Sequence, residues 1–211
     1  MEENLSHKMN PMEKLADIIT LRVNKVIQKD GIELQKIRLG IEIFLINISK
    51  FIIIFLISIK LNLIFETTIM TIVLGLVRSK AFGLHAKNSL VCTITSLTLY
   101  LAGGYVSKIA IIDKYIIVMV FLFIIAALYM YAPADTEYHP LIGQALRNDL
   151  KKKAVITGVI LMIIALISPY SVITNLITLA SFYEVLSILP ITYKIFDRRY
   201  NNYEQYEKSI S

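Results

Sequence analysis

Apolar residues in this chain gather in long blocks rather than in short alternating runs. The blocks lie at roughly 41–59, 62–77, 89–106, 115–131, 154–168 and 171–190. A helix needs about 20 mostly apolar residues to cross the hydrocarbon core. Flanking residues or a locally thin bilayer absorb the mismatch of the shorter blocks. The pattern therefore predicts an all-α integral membrane protein with six transmembrane helices. Ahead of them, Leu15, Ile18, Ile19, Val23, Val26 and Ile27 recur at helical spacing, with Lys14, Arg22, Lys25 and Lys29 around the stripe. This predicts an amphipathic N-terminal helix over 12–30, closed by the turn signal Asp30-Gly31. Such a helix lies in the headgroup region or packs on its own protein. Three regions follow: an interfacial N-terminal segment 1–40, a membrane domain 41–190 and a C-terminal tail 191–211.

Composition supports the blocks. The 211 residues are 56% apolar and 18% charged. Soluble domains average about 45–50% and about 25%, so a soluble globule is a poor fit, and disorder is excluded. The net charge of +6 has a topological explanation. With the N-terminus inside, the segments 1–40, 78–88, 132–153 and 191–211 carry 18 of the 22 Lys and Arg, against 3 in the outside loops. That bias places both termini in the cytoplasm, and no nucleic-acid partner is needed to explain the charge. The first 12 residues lack the charged start, apolar core and cleavage site of a removable signal peptide. Glu42 and Lys50 in the first block and Glu66 in the second are costly in lipid, so they are expected to face the protein interior, a polar cavity or the interface.

Cys92 is the only cysteine, so no intramolecular disulfide forms. His85 precedes it by seven residues. A thiol and an imidazole make a nucleophile–base pair when they meet. On one straight helix their Cα atoms would stand about 10.5 Å apart along the axis, and His85 would lean away from Cys92. A working pair therefore needs a break between them. Gly83 supplies backbone freedom before it, and Asn88 or Ser89 suits the N-cap of the third span. Cys92 then falls near a helix N-terminus, where the dipole and a nearby imidazolium both lower a thiol pKa. Spacing alone leaves a plain packing cysteine and a solvated histidine as the competing reading.

The third cytoplasmic segment runs Tyr131-Ala-Pro-Ala-Asp-Thr-Glu-Tyr-His-Pro140 and ends on Lys151, Lys152 and Lys153. Two prolines restrict it. The lysines serve as a topological signal or as an electrostatic site for an acidic peptide or anionic lipid. No His/Cys cluster, zinc motif or phosphate loop occurs, so neither metal nor cofactor is expected.

Arg78, Gly83, His85 and Cys92, together with the 131–140 segment, resemble the accessory gene regulator B (AgrB) family of membrane cysteine endopeptidases in Gram-positive quorum sensing. The family pattern places Arg, a Gly-rich stretch, His-Ala and then Cys seven residues after His. Phe82 stands where the family often has a second Gly, and His139 where it often has Asn before the loop proline. The resemblance implies a homodimeric peptidase of the cytoplasmic membrane acting on an AgrD-like pro-peptide. Cys92 would be the nucleophile and His85 the base, with Gly83 and Asn88 supporting the loop and Arg78 either supporting it too or pairing with the substrate's acidic tail. Lys80, Asp135, Lys151, Lys152 and Lys153 would contact the substrate. The product would be a thiolactone or lactone ring closed from an acyl-enzyme thioester. The competing class is a small transporter or peptide exporter, with Glu42, Lys50, Glu66 and Gly103-Gly104 lining a polar path.

Overall fold

A computed structural model of the chain describes residues 11–84, 89–136 and 140–208. Every named element is helical, in the order α1 (Pro11–Ile27), α2 (Gly31–Lys60), α3 (Ile64–Ala81), α4 (Ser89–Ile109), α5 (Lys114–Tyr131), α6 (Gln144–Ile167), α7 (Ser171–Ile188), α8 (Pro190–Ile195) and α9 (Tyr203–Lys208). The chain divides into two compact units, one ending at Ile57 and the other beginning at Ser58.

In the first unit, α1 ends where Gln28 takes a positive φ and the Asn24 side chain accepts the Lys29 N–H at 2.8 Å. Ala16 and Thr20 are buried, while Leu15, Ile18, Leu21, Val26 and Ile27 stay exposed. Arg38 pairs with Asp17 across the α1–α2 turn. The helix α2 has 30 residues and begins ten residues ahead of the first apolar block. No proline interrupts it, and an interior glycine such as Gly40 costs only about 1 kcal/mol.

The second unit is an up-and-down bundle. At one end, the C-termini of α3, α5 and α7 meet: Phe82 bridges Ala134, and Leu84 donates its N–H to the Ser187 carbonyl at 3.2 Å. At the other end, Asn175 near the start of α7 donates to the carbonyls of Ser107 and Ala110 at the end of α4, at 3.1 and 2.8 Å. Thr174 donates to Ala165 of α6 at 2.9 Å. Thus α3, α5 and α7 run one way, and α4 and α6 the other.

Close helix approach comes from small residues, as is usual where apolar helices lack a hydrophobic drive to associate. A Cβ on Gly104 would stand 3.2 Å from the Glu66 Cβ, and one on Gly158 only 2.9 Å from a Leu128 methyl. The helix α7 packs against α3, α4, α5 and α6 and carries the densest buried set, including Asn175, Leu176, Ala180, Ser181, Glu184 and Val185. Outward positions such as Ile116, Met119, Leu122 and Phe123 on α5 are large and apolar.

Among the described residues, three helices, α2, α5 and α7, are long and apolar enough to cross a membrane. The chain is an all-helical, multi-pass membrane protein. Charge explains why α3 and α6 differ from these three. Glu66, Arg78 and Lys80 lie on α3, and α6 includes Arg147, Asp149 and the three lysines before its apolar part begins at Ala154.

Candidate active site

The chain leaves α3 under tight control. Phe82 caps the helix with φ 59°, its N–H bonding back to the Arg78 carbonyl. Gly83 follows at φ 121°, a conformation that L side chains rarely adopt. Its N–H donates to the Ala134 carbonyl at 3.0 Å, and the Ala134 N–H returns a bond to Ala81 at 2.9 Å. The space a side chain would occupy at Gly83 is taken by Ser187, Ile188 and Glu184 of α7. Lacking a side chain therefore serves Gly83 twice, in backbone angle and in packing.

Arg78 sits one turn before the end of α3 and reaches across to α7. Its Nη1 lies 3.2 and 3.4 Å from the two Glu184 carboxylate oxygens, and its Nη2 donates to the Leu84 carbonyl at 3.0 Å. The Glu184 side chain is 3% exposed and that of Arg78 35%. Ser187 donates to the Glu184 backbone and carboxylate at 2.8 and 3.3 Å. Sequence reading missed Glu184 and Ser187. An acidic residue inside the last apolar block was the available signal, since ionised groups in a span need partners.

His85 and Asn88 lie outside the described residues, and so does the side chain of Cys92. Cys92 is the fourth residue of α4. Since α3 ends at Ala81 and α4 begins at Ser89, no single helix runs from Arg78 to Cys92. His139 also falls outside the described residues.

Asp135 is 2% exposed. Its two carboxylate oxygens accept the backbone N–H groups of Asn202 and Tyr203 at 2.9 and 2.7 Å. It thereby caps α9. The Tyr193 hydroxyl donates to the Asp135 carbonyl at 2.8 Å. Burial, reinforced by the nearby Asp135 charge, pushes the Tyr193 hydroxyl well above its ordinary value. Burial, with Tyr203 next in weight, pushes Tyr200 up to about 12. Both stay protonated donors at neutral pH. Further out, Arg147 bonds to the Leu141 carbonyl, pairs with Glu207 at 2.7 Å and stacks on Tyr203 at 3.8 Å. The segment after α7 is thus held against residues 131–135 and the start of α6.

The basic residues spread over two helices. Lys80 is half-exposed near the end of α3. On α6, Lys151 lies 5.8 Å from the Tyr129 ring centre, Lys152 is exposed, and Lys153 pairs with Asp149 at 2.6 Å. The lysine cluster belongs to a helix that starts at Gln144, ten residues before the apolar block. At the opposite end of the bundle, Glu66 is occupied by Lys108 at 3.1 Å, and a Cβ on Gly103 would press on Met70. Among the described residues, no group of three His, Cys, Asp or Glu is placed to hold a metal ion.

The fold and this end of the bundle define a multi-pass membrane protein with a braced turn between its third and fourth helices. The family model described as Accessory gene regulator B matches residues 12–188. The chain belongs to the accessory gene regulator B family. It is 50% identical over 203 residues to an AgrB-like protein of Clostridium acetobutylicum, covering 96% of this chain and 97% of the relative. It is 38% identical over 205 residues to an AgrB-like protein of Listeria innocua, covering 97% and 99%. It is also 29% identical over 187 residues to the Accessory gene regulator protein B of Staphylococcus aureus, covering 88% and 98%. No solved structure matches the chain.

Proposed function

We propose that this protein is a membrane-embedded cysteine endopeptidase that processes an AgrD-like pro-peptide. The observation that carries the reading is the braced segment Arg78–Leu84, which immediately precedes His85 in the chain, with Cys92 following as the fourth residue of α4. Six helices, α2 to α7, cross the cytoplasmic membrane, with both termini and this end of the bundle in the cytoplasm. Cys92 attacks the carbonyl at the junction with the peptide's C-terminal tail. His85 takes the thiol proton and then gives one to the departing amine. The acyl-enzyme thioester preserves the energy of the cleaved bond. The peptide's own Cys or Ser displaces Cys92 and closes a thiolactone or lactone ring, provided the site limits water.

Arg78, Gly83 and Asn88 shape the loop that carries the pair. Lys80, Lys151, Lys152 and Lys153 attract an acidic peptide tail, and Asp135 acts at the same end of the bundle. The helix α1 receives the peptide's membrane-bound helix, and the working unit is a homodimer. No cofactor takes part. The test is cleavage of an AgrD-like precursor by reconstituted protein. Cys92→Ala and His85→Ala should each abolish cleavage while membrane expression is kept. Cleavage that survives Cys92→Ala would sink the reading.

A further inference from the structure

We propose that Glu184 of α7 is a positioning residue, holding through Arg78 the backbone that presents His85. This rests on the reading of His85 and Cys92 as the reacting pair and adds a residue 99 positions away from His85.

The contacts make a short relay. Glu184 faces Arg78 with both carboxylate oxygens, at 3.2 and 3.4 Å from Nη1. The other terminal nitrogen of the same guanidinium holds the Leu84 carbonyl at 3.0 Å. That carbonyl belongs to the peptide bond whose nitrogen is the amide of His85. Leu84 is also fixed from its other side, because its N–H donates to Ser187 at 3.2 Å. The residue before His85 is therefore held at both its donor and its acceptor by α7, once directly and once through Arg78. The planar guanidinium suits this role, since one rigid fork engages two partners at a fixed separation.

The alternative is that the pair only stabilises helix packing. Burial argues against that as the whole account. A buried ion pair is often no more stabilising than apolar residues of similar volume. A carboxylate that is 3% exposed and shared among Arg78, Ser187 and the space beside Gly83 is a costly way to join two helices. It is a direct way to fix where one peptide group sits. Among the described residues, Tyr100 of α4 and Tyr193 of α8 are other titratable groups close enough to feel the Glu184 charge.

The test uses the full-length protein in detergent or liposomes. Cys92 is its only thiol, so alkylation by iodoacetamide reports that group alone. Alkylation rate is measured against pH in the parent protein, His85→Ala, Glu184→Gln and Glu184→Asp, with thermal unfolding as a folding control. An unperturbed thiol titrates near 8.5. In the parent, an apparent pKa below that value that rises in His85→Ala establishes the pair. Glu184→Gln should then raise the apparent pKa in the same direction and lower kcat for precursor cleavage by about tenfold or more, a loss of about 1.4 kcal/mol in transition-state stabilisation, with KM little changed. Glu184→Asp keeps the charge but draws it back by one methylene, so it should give a smaller shift. Should Glu184→Gln fail to fold, Glu184→Asp decides. A folded Glu184 variant with the parent's pH profile and kcat, beside a shifted His85→Ala, overturns the positioning role alone. A thiol indifferent to His85→Ala overturns the peptidase reading and this role with it.

Discussion

Gly83 and Ala134 are joined backbone to backbone, the Gly83 N–H donating to the Ala134 carbonyl at 3.0 Å. The contact ties the turn after α3 to the loop after α5, two segments that are distant in sequence. Both lie against the end of α7, through Ser187 for the first and through Tyr193, just beyond α7, for the second. The turn after α3 is thus set by the packing of three helix ends.

Gly83→Ala should be severe for two independent reasons. The new methyl would meet the Ser187 hydroxyl and stand 3.3 Å from Ile188 and 3.4 Å from Glu184, at a φ of 121°. A strained conformation of this kind costs about 1–3 kcal/mol before any clash. Thermal unfolding in detergent should fall, and precursor cleavage should drop by at least about tenfold. Full activity in Gly83→Ala would show that the turn is not held as described.

Asp135→Ala should release the segment after α8. It leaves the Asn202 and Tyr203 N–H groups without their acceptor, and each unsatisfied buried donor costs about 1–3 kcal/mol. Limited proteolysis should then cut within 196–208 faster than in the parent. Tyr193→Phe removes the hydroxyl that donates to the Asp135 carbonyl and, at longer range, to the Ala134 carbonyl, and should have the same effect at about 1 kcal/mol. A raised KM for peptide in Asp135→Ala, with the proteolysis pattern unchanged, would instead mark a direct substrate contact.

Acid should loosen the same segment through Glu207. Hydrogen bonds from Arg147, then from the Gly143 N–H, hold its carboxyl below the ordinary carboxylate range. A group depressed in the folded state contributes fully above its unfolded pKa, near about 4.3 for Glu, and loses that contribution as pH falls through its folded value. Hydrogen exchange of residues 203–208, corrected for intrinsic rates, should rise below about pH 4. Glu207→Gln should show raised exchange already at neutral pH and little further change in acid.

Lys108→Met should be worse than removing both members of its pair. Glu66 is 7% exposed and Lys108 40%. Losing the lysine strands a buried carboxylate, at about 3 kcal/mol, the low end for a broken buried pair because the lysine is partly exposed. The double variant Glu66→Met with Lys108→Met should recover much of that loss in thermal unfolding and keep precursor cleavage. Loss of function in a well-folded double variant would favour the transport alternative.

Neutralising Lys151, Lys152 and Lys153 together to Gln should raise KM for a precursor with an acidic tail and leave kcat nearly unchanged. The effect should shrink with added salt, because exposed charges are screened over about 8–10 Å at ordinary ionic strength. A precursor whose tail acids are replaced by amides should lose the difference between parent and triple variant.

Local chemistry made much of this legible from the residues in order. Apolar runs end at turn signals, so α3, α4, α5 and α7 begin and end within a few residues of their blocks. Helix α4 starts at Ser89, beside the expected cap position. The same reasoning underestimated α2 and α6, which continue as helix into polar sequence. Nothing there breaks a helix, and hydropathy reports where lipid ends, not where the backbone turns. The spacing of Arg78, His85 and Cys92 also stands in the sequence.

Tertiary structure decided the partners. Glu184 reads in sequence as a lone acid within an apolar block, and its meaning depends on an arginine 106 residues away. Asp135 stands in sequence as an acid of the third cytoplasmic segment, with a substrate contact implied by the family resemblance, yet it is buried with its carboxylate on the start of the helix formed by residues 203–208. Periodicity and turn signals are set by neighbours along the chain. An ion pair or a cap between distant segments exists only once helix packing has brought their ends together and removed the water that would otherwise have satisfied each group alone.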